Sequence, residues 1–405
     1  MVTITTTLNP ADPAFATDRY SVYRHLRDSL PVARIEVNGH DAYVLTRYAD
    51  VSAVFKTSSA RVQPHAGQFP PHIGTGPASE FYRFSLPSMD APSHTRLRKL
   101  ASAAFSARAM AGMRGWVQEI IGAGLDRLTE MDSEFDFVAE FAARIPAEIA
   151  CRLLHAPMSD AHTVLERMPD LNAVLSHGDL SVEGLAAADA AAQFYIDYIG
   201  DLVDTLRGKL DADDAVGALL EAEEDGSKMT RTELIITLVG FFVASYHTTM
   251  VAMTNTVYAL AAHPDQMRAL AAAPDLAPRA WEEALRFLSP VHFIHRYAGE
   301  DLTLHGQRIP EGSQLLLAMA AANRDERFFD EPDRFDVERA SIRHLAFTAG
   351  GHYCLGAPLS RLEGDYLLRE LPARFPDLQV TTECPDWGTD LSFPFMRSMT
   401  VVTGR

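Results

Sequence analysis

The chain has 405 residues, 47% of them hydrophobic and 22% charged, and carries a formal net charge of −18. Such a chain is globular and long enough for one large core or two ordinary ones, and its acidity argues against generic binding to nucleic acid or an anionic membrane, because like charge repels both. Its three cysteines, Cys151, Cys354 and Cys384, are odd in number and far apart, which gives no disulfide framework and no zinc-type pair and fits a reducing cytoplasm.

The opening segment, MVTITTTLNPADPAF, has neither the basic and apolar blocks of a signal peptide nor an apolar run of membrane-spanning length. No membrane attachment is expected. Helical periodicity covers 17–30, and residues 34–48, RIEVNGHDAYVLTRY, then alternate around an Asn38-Gly39 turn as a hairpin. Residues 61–88, rich in Pro, Gly and His, read as a long irregular connection of the kind that tends to carry function. Helices follow at 94–130, 139–155 and 160–208.

Thr230 and Glu233 stand at capping-box spacing and open a helix over 230–262 that His263-Pro264 ends. Its stretch Leu234 to Leu260 is apolar enough for a membrane span. The polar cluster Ser245, Tyr246, His247, Thr248 and Thr249 at its middle favours a helix through the centre of a large core instead. A helix at 276–288, a β-rich patch at 291–317 and a helix at 358–373 complete the series. Helix dominates and the sheets are small, so the fold class is mainly α with small β-sheets (α+β). Neither a repeat nor a low-complexity linker divides the chain. A single domain over 1–405 is expected, with a β-rich lobe at about 30–60 and a helical core at about 89–290 and 355–375.

The most specific segment is FTAGGHYCLGA, Phe347 to Ala357. Gly350, Gly351 and Gly356 let the backbone approach a sulfur and offer it N–H groups, while Pro358 suits the first turn of a helix, whose N-terminus favours a thiolate. His352 can reach a nearby anion. A buried free cysteine in a glycine-rich loop is the alternative reading of the same residues.

This window resembles the haem-binding loop of the cytochrome P450 monooxygenases, with Thr348 standing where the family more often has serine, glycine, asparagine or histidine. The resemblance implies the cytochrome P450 fold, with a long central helix over the haem, and Cys354 as the axial thiolate whose electron donation favours O–O cleavage. It extends over nearly the whole chain, in family order. In the central helix the family carries alanine, glycine, any residue, an acid and threonine, and here the stretch reads ASYHTT, Ala244 to Thr249. Ala244, His247 and Thr248 lie at i, i+3 and i+4 and can share one face. Thr248 matches the alcohol implied in proton delivery, but His247 replaces the acid and Ser245 the glycine. His247 can relay protons near neutral pH or satisfy a hydrogen bond in the core.

Haem propionates need several cations or donors. By resemblance these are His94 and Arg98, at HxxxR spacing, with Arg296 and His352, while Ala244, Phe347 and Gly356 complete the implied haem contacts. Glu283 and Arg286, at ExxR spacing, and Arg334 of the segment NRDERFFDEPDRFD form the implied buried ionic network, with Arg339 as the alternative third member.

For the pocket the family's layout implies Gly240 and Val243 of the central helix, Val291, His292 and Phe293 after the ExxR helix, Phe81 and Arg83 of the irregular connection, and Phe395 near the C-terminus. Most are apolar, so an apolar substrate of small to medium size is expected, and His292 or Arg83 can orient a polar group. No GxGxxG fingerprint opens a strand and helix, so electrons are expected from a separate ferredoxin and its reductase. Arg96, Lys99, Arg108, Arg343 and Arg361 are candidates for a basic face on the Cys354 side.

The expected protein is thus a cytoplasmic, monomeric haem b monooxygenase that uses O2 for hydroxylation, O-dealkylation or epoxidation. Two rivals remain. One is a peroxide-dependent peroxygenase, suggested by His247 in place of the acid but weakened because no arginine lies between Leu234 and Leu260. The other is a haem protein that binds ligand without turnover.

Overall fold

A computed structural model describes residues 8–9, 12, 15, 17–37, 40–64, 73–175, 180–211, 213–224, 229–382, 385–388 and 390–404. Tyr23 and Leu26 form the buried face of α1 (Arg19–Ser29), which starts where the Asp18 carboxylate accepts a hydrogen bond from the Ser21 N–H at 3.1 Å. The alternating run beyond it gives β1 (Val32–Val37) and β2 (His40–Leu45), antiparallel with Val32 opposite Leu45. The expected Asn38-Gly39 turn lies outside the described residues, as does Cys384.

Along the chain come α2 (Tyr48–Lys56), β3 (Ala60–Arg61), α3 (Pro77–Phe84), α4 (Ser93–Ala101), α5 (Ala107–Glu130), β4 (Glu134–Asp136), α6 (Arg144–Leu153), α7 (Val182–Leu206), α8 (Ala215–Glu224) and α9 (Arg231–Ala262). Then follow α10 (Pro264–Ala272), α11 (Ala277–Phe287), β5 (Phe293–Ala298), β6 (Leu302–Leu304), β7 (Gln307–Ile309), β8 (Gln314–Ala318), α12 (Ala357–Arg374), β9 (Gln379–Val380) and β10 (Thr400–Val402).

Three expected boundaries move. The run 94–130 breaks where Ser106 turns extended, and its hydroxyl accepts from the Ala109 N–H to start α5 afresh. The run 160–208 divides into two short helices, Ala161–Glu166 and Met168–Asn172, and α7, whose cap is the Ser181 hydroxyl accepting from Gly184 N–H at 3.0 Å. Within 61–88, Pro77 opens α3 and the Asp189 carboxylate accepts from the Ala78 N–H at 2.9 Å.

The chain groups into two compact units, one of residues 1–60, 118–145 and 248–405, the other of 61–117 and 146–247. In the first, one sheet runs in the order β1-β2-β8-β5-β3, with β8 parallel to β2 and antiparallel to β5. Successive residues of β8 feed opposite cores: Leu316 joins Tyr23, Leu26, Ile35, Val44 and Phe293, whereas Leu315 and Leu317 join Tyr43, Val51, Phe55 and Val291. A second sheet runs β4-β10-β9, and β6 and β7 form a separate hairpin. Helix α12 packs on α11 so closely that a Cβ at Gly364 would lie 2.0 Å from the Trp281 ring, so only glycine fits there.

In the second unit Tyr195 of α7 packs on Phe242 of α9 and donates to the Val164 carbonyl, and Phe105 meets Phe241 edge to face at 5.1 Å. The capping box forms: Thr230 N–H donates to the Glu233 carboxylate at 2.9 Å and Glu233 N–H to the Thr230 hydroxyl at 3.2 Å. The most apolar window of α9 is 67% buried inside the protein, which fits a core helix.

Candidate functional site

The cysteine loop is held by its own backbone. Cys354 N–H donates to the Phe347 carbonyl at 2.9 Å, and Thr348 N–H to that of Leu345 at 2.8 Å. Thr348 itself adopts φ +60, unusual for a β-branched residue, and its hydroxyl donates to the His352 carbonyl at 2.8 Å. Gly350 has φ +69, and a Cβ there would lie 2.2 Å from the Phe55 carbonyl oxygen. Gly350→Ala is therefore expected to lower stability by about 3 kcal/mol and to reduce haem occupancy, read by urea unfolding and the haem-to-protein absorbance ratio. A change under about 0.5 kcal/mol would show that the loop can move off α2 freely.

By contrast, a Cβ at Gly351 or Gly356 would meet nothing within 4 Å, and Cys354 is half-buried. Helix α12 starts three residues after it, with Pro358 in its first turn as expected. In the same unit Arg296 of β5 is buried; its guanidinium donates to the His295 carbonyl at 2.7 Å and lies 5.5 Å from the centre of the Phe55 ring. His352 is half-buried.

A groove of about 480 Å³ runs along the loop, lined by Tyr48, Lys56, Arg343, Phe347, Tyr353 and Arg361 among others. Arg361 grips Glu282 through two bonds, at 2.8 and 3.1 Å, donates to the Tyr353 hydroxyl at 3.1 Å and sits over the Phe347 ring. Burial pushes the Glu282 carboxyl up, but hydrogen bonds from His344 and Arg361 outweigh it and carry the group down to about 2.

The second unit carries other candidates. On α4, His94 is buried and Arg98 half-buried on the face of Leu97, whereas Arg96 and Lys99 face outward. Arg96 is committed to Glu233 and Arg108 to Asp213. On α9, Leu234 to Val239 are buried, yet Gly240 is half-buried and Ala244 exposed. His247 and Thr248 are half-buried at i+7 and i+8 from Gly240, and so are Phe241, Ser245 and Tyr246 beside them, so the middle of the helix is partly open rather than sealed. Ser245 turns its hydroxyl back onto the Phe242 carbonyl at 3.1 Å. In the first unit, a half-buried thiol, a loop with room at Gly351 and Gly356 and the buried cation Arg296 are of the kind that a dianionic haem requires, and these residues fit it.

The ionic network forms with a different third member. Arg286 binds both oxygens of Glu283, at 2.7 and 2.8 Å, with both side chains fully buried. Arg339, not Arg334, reaches the same carboxylate, at 3.1 Å. The Arg334 side chain is 57% exposed and pairs with Glu331; it contributes only its carbonyl, which accepts from Arg286 and Arg339.

The substrate candidates separate. His292 is a core residue, its Nδ1 2.9 Å from the Tyr23 hydroxyl, and burial holds its imidazole neutral. Phe293 packs edge to face on Tyr23, and Phe81, Val243 and Val291 are buried at 1%, 3% and 7% exposure. None of these five presents free surface. Gly240 and Phe395 are half-buried and Arg83 is exposed. The sequence shows Thr249 only as part of a polar cluster and gives no signal for Glu363; in the first unit both are buried, the Thr249 hydroxyl donating to the Glu363 carboxylate at 3.5 Å.

The family model described as "Cytochrome P450" matches residues 13–275 and 275–376. Cytochrome P450 107B1 of Saccharopolyspora erythraea is 37% identical over 388 residues, 93% of this chain and 92% of that protein. Mycinamicin IV hydroxylase/epoxidase of Micromonospora griseorubida is 36% identical over 361 residues, 88% of each. The solved structure of PksS, the cytochrome P450 of the Bacillus subtilis 168 bacillaene polyketide synthase, superposes with TM-score 0.89 at 29% identity, over 98% of this chain and 100% of that one.

Proposed function

Because this chain belongs to the bacterial cytochrome P450 family of haem- and iron-binding monooxygenases, we propose that it carries haem b on Cys354 and oxidises an apolar organic molecule of small to medium size. The observation that carries this reading is the half-buried Cys354 three residues before α12, in a loop where a Cβ at Gly351 or Gly356 would meet nothing within 4 Å. When bound, the haem supplies reduction of O2, one atom entering the substrate and the other leaving as water. His94, Arg98, Arg296 and His352 neutralise its propionates. Ala244 leaves room on the accessible face of α9, and Thr248 and His247 handle protons there, His247 in place of the family's acid. Ser245 is left out of that role, since its hydroxyl is already bonded to Phe242.

Arg83 and Phe395 are the remaining side chains for substrate contact, with Gly240 giving clearance. Relatives named for mycinamicin IV oxidation and for a polyketide synthase make polyketides the first substrate class to test. Electrons come from a ferredoxin-type donor in the cytoplasm, and the groove carrying Lys56 and Arg343 offers an acidic donor a cationic seat on the Cys354 side, in a chain whose net charge is −18. Purified holoprotein supplied with ferredoxin, its reductase and NADH should oxidise those polyketides, terpenoids or fatty acids that shift the haem spin state. Product formed only with hydrogen peroxide would replace this reading by a peroxygenase. NADH consumption without product from any spin-shifting compound would replace it by a ligand-binding protein.

A further inference from the structure

Among the described residues, four other than glycine take positive φ: His155, His305, Glu331 and Thr348. Thr348 is the β-branched one, at φ +60. In this region Cβ crowds the backbone, and a second heavy atom on Cβ adds to the crowding, so a threonine stays there only when other contacts hold it. Glycine takes the same conformation without strain, as Gly350 does two residues later at φ +69. The family more often has serine, glycine, asparagine or histidine at this position, yet this chain keeps the more strained residue.

A strained residue in a functional loop directs attention to what its side chain does. The Thr348 hydroxyl donates to the His352 carbonyl at 2.8 Å. Backbone bonds anchor the loop on both sides of that pair: Thr348 N–H to the Leu345 carbonyl at 2.8 Å, Tyr353 N–H to Gly350 at 3.2 Å and Cys354 N–H to Phe347 at 2.9 Å. The side-chain bond spans the turn between these anchors. Gly351, within the turn, is exposed, and a Cβ there would meet nothing within 4 Å, so packing does little to fix it. His352 follows directly, two residues before Cys354, and its half-buried ring is among the side chains proposed to meet the haem propionates.

We propose that Thr348 is a positioning residue whose hydroxyl, by holding the His352 carbonyl, aims the His352 side chain at the haem propionates. This rests on the haem reading of Cys354. Thr348 touches no reacting atom and acts through His352. Three substitutions separate its parts. Thr348→Ser keeps the hydroxyl and removes the branch, Thr348→Val keeps the branched shape and removes the hydroxyl, and Thr348→Gly removes the bond and the strain together. The glycine variant should therefore melt above the valine variant, although both hold haem less well than the parent. A residue that served stability alone would move both properties the same way.

The test follows transfer of haem from wild-type and variant holoproteins to excess apomyoglobin, read by visible absorption. Thr348→Val and Thr348→Gly should lose haem at least about fivefold faster than the wild type, the size of one ordinary hydrogen bond, and Thr348→Ser within about twofold of it. All four should keep the thiolate signature of the reduced, CO-treated protein, because the Cys354 backbone bond to Phe347 is untouched. In a His352→Ala background, adding Thr348→Val should change the rate by less than about twofold, since the partner through which Thr348 acts is already gone. Haem held as long by the glycine or valine variant as by the wild type, a serine variant as leaky as the valine one, or a full further loss in the His352→Ala background would each overturn the assignment. A wild type that binds no haem, or binds it without the thiolate signature, would instead overturn the haem reading beneath it.

Discussion

Cys354→Ser is expected to fold, and to turn over substrate at least about a thousandfold more slowly than the parent. The loop's fixed contacts are mostly backbone: Cys354 N–H to Phe347, Thr348 N–H to Leu345, and the approach of Gly350 to Phe55 survive the exchange of sulfur for oxygen. Stability should therefore change by less than about 1 kcal/mol. What changes is the donor. A serine hydroxyl stays protonated near neutral pH, so the electron donation that favours O–O cleavage is lost. Absorption of the reduced, CO-treated protein should lose its thiolate signature in step with turnover.

The natural competitor is Cys151. It is fully buried, and burial, helped by Asp160 and Glu148, pushes its thiol up to about 11, which leaves it neutral and a poor ligand. Cys151→Ser should accordingly keep the spectrum and the turnover. Retention of both by Cys354→Ser would dethrone Cys354 as the ligand and refute the haem placement proposed for this chain.

The cysteine loop could be read from sequence because its requirements are local. A thiol, close backbone and a helix start fall within eleven residues, and the capping box at Thr230 and Glu233 was readable for the same reason. Features that depend on which way a side chain turns were not. His292 looked available beside a strand start, yet β5 turns it toward Tyr23 of α1, some 270 residues away in sequence. Phe81, Val243, Val291 and Phe293 are likewise buried, and apolar residues of this kind suit a pocket wall and a core alike. In the sequence, Glu363 is one acid among several on the helix after the cysteine loop. Only the packing of α12 shows that it points inward.

Arg334 and Arg339 make the same point with the second large expected effect. Both follow the ExxR helix by about fifty residues, and spacing cannot say which guanidinium enters the core. Turns decide it: the Arg334 side chain faces Glu331 at the surface, while Arg339 swings back to Glu283 and also donates to the carbonyls of Asp330, Glu331 and Arg334. Glu283 thus sits fully buried between two cations, with Asp336 N–H as a further donor at 3.0 Å. Glu283→Gln leaves two guanidinium groups short of a counter-charge and should cost about 3–5 kcal/mol. Arg339→Ala should cost about 2–3 kcal/mol, the loss of hydrogen bonds to a charged group, whereas Arg334→Ala, removing an exposed pair, should stay under about 0.5 kcal/mol.

Urea unfolding orders the three, and an Arg334 variant as damaged as the Arg339 one would reject the assignment. The consequence reaches the cysteine. Arg286 donates to the Asn323 carbonyl at 3.0 Å, the Asn323 side chain accepts from Leu345 N–H at 2.7 Å, and the Leu345 carbonyl accepts from Thr348 at the start of the loop. Loosening Arg286 therefore loosens the frame that presents Cys354. Glu283→Gln should release haem faster than Arg334→Ala under the same urea concentration, well before the protein unfolds.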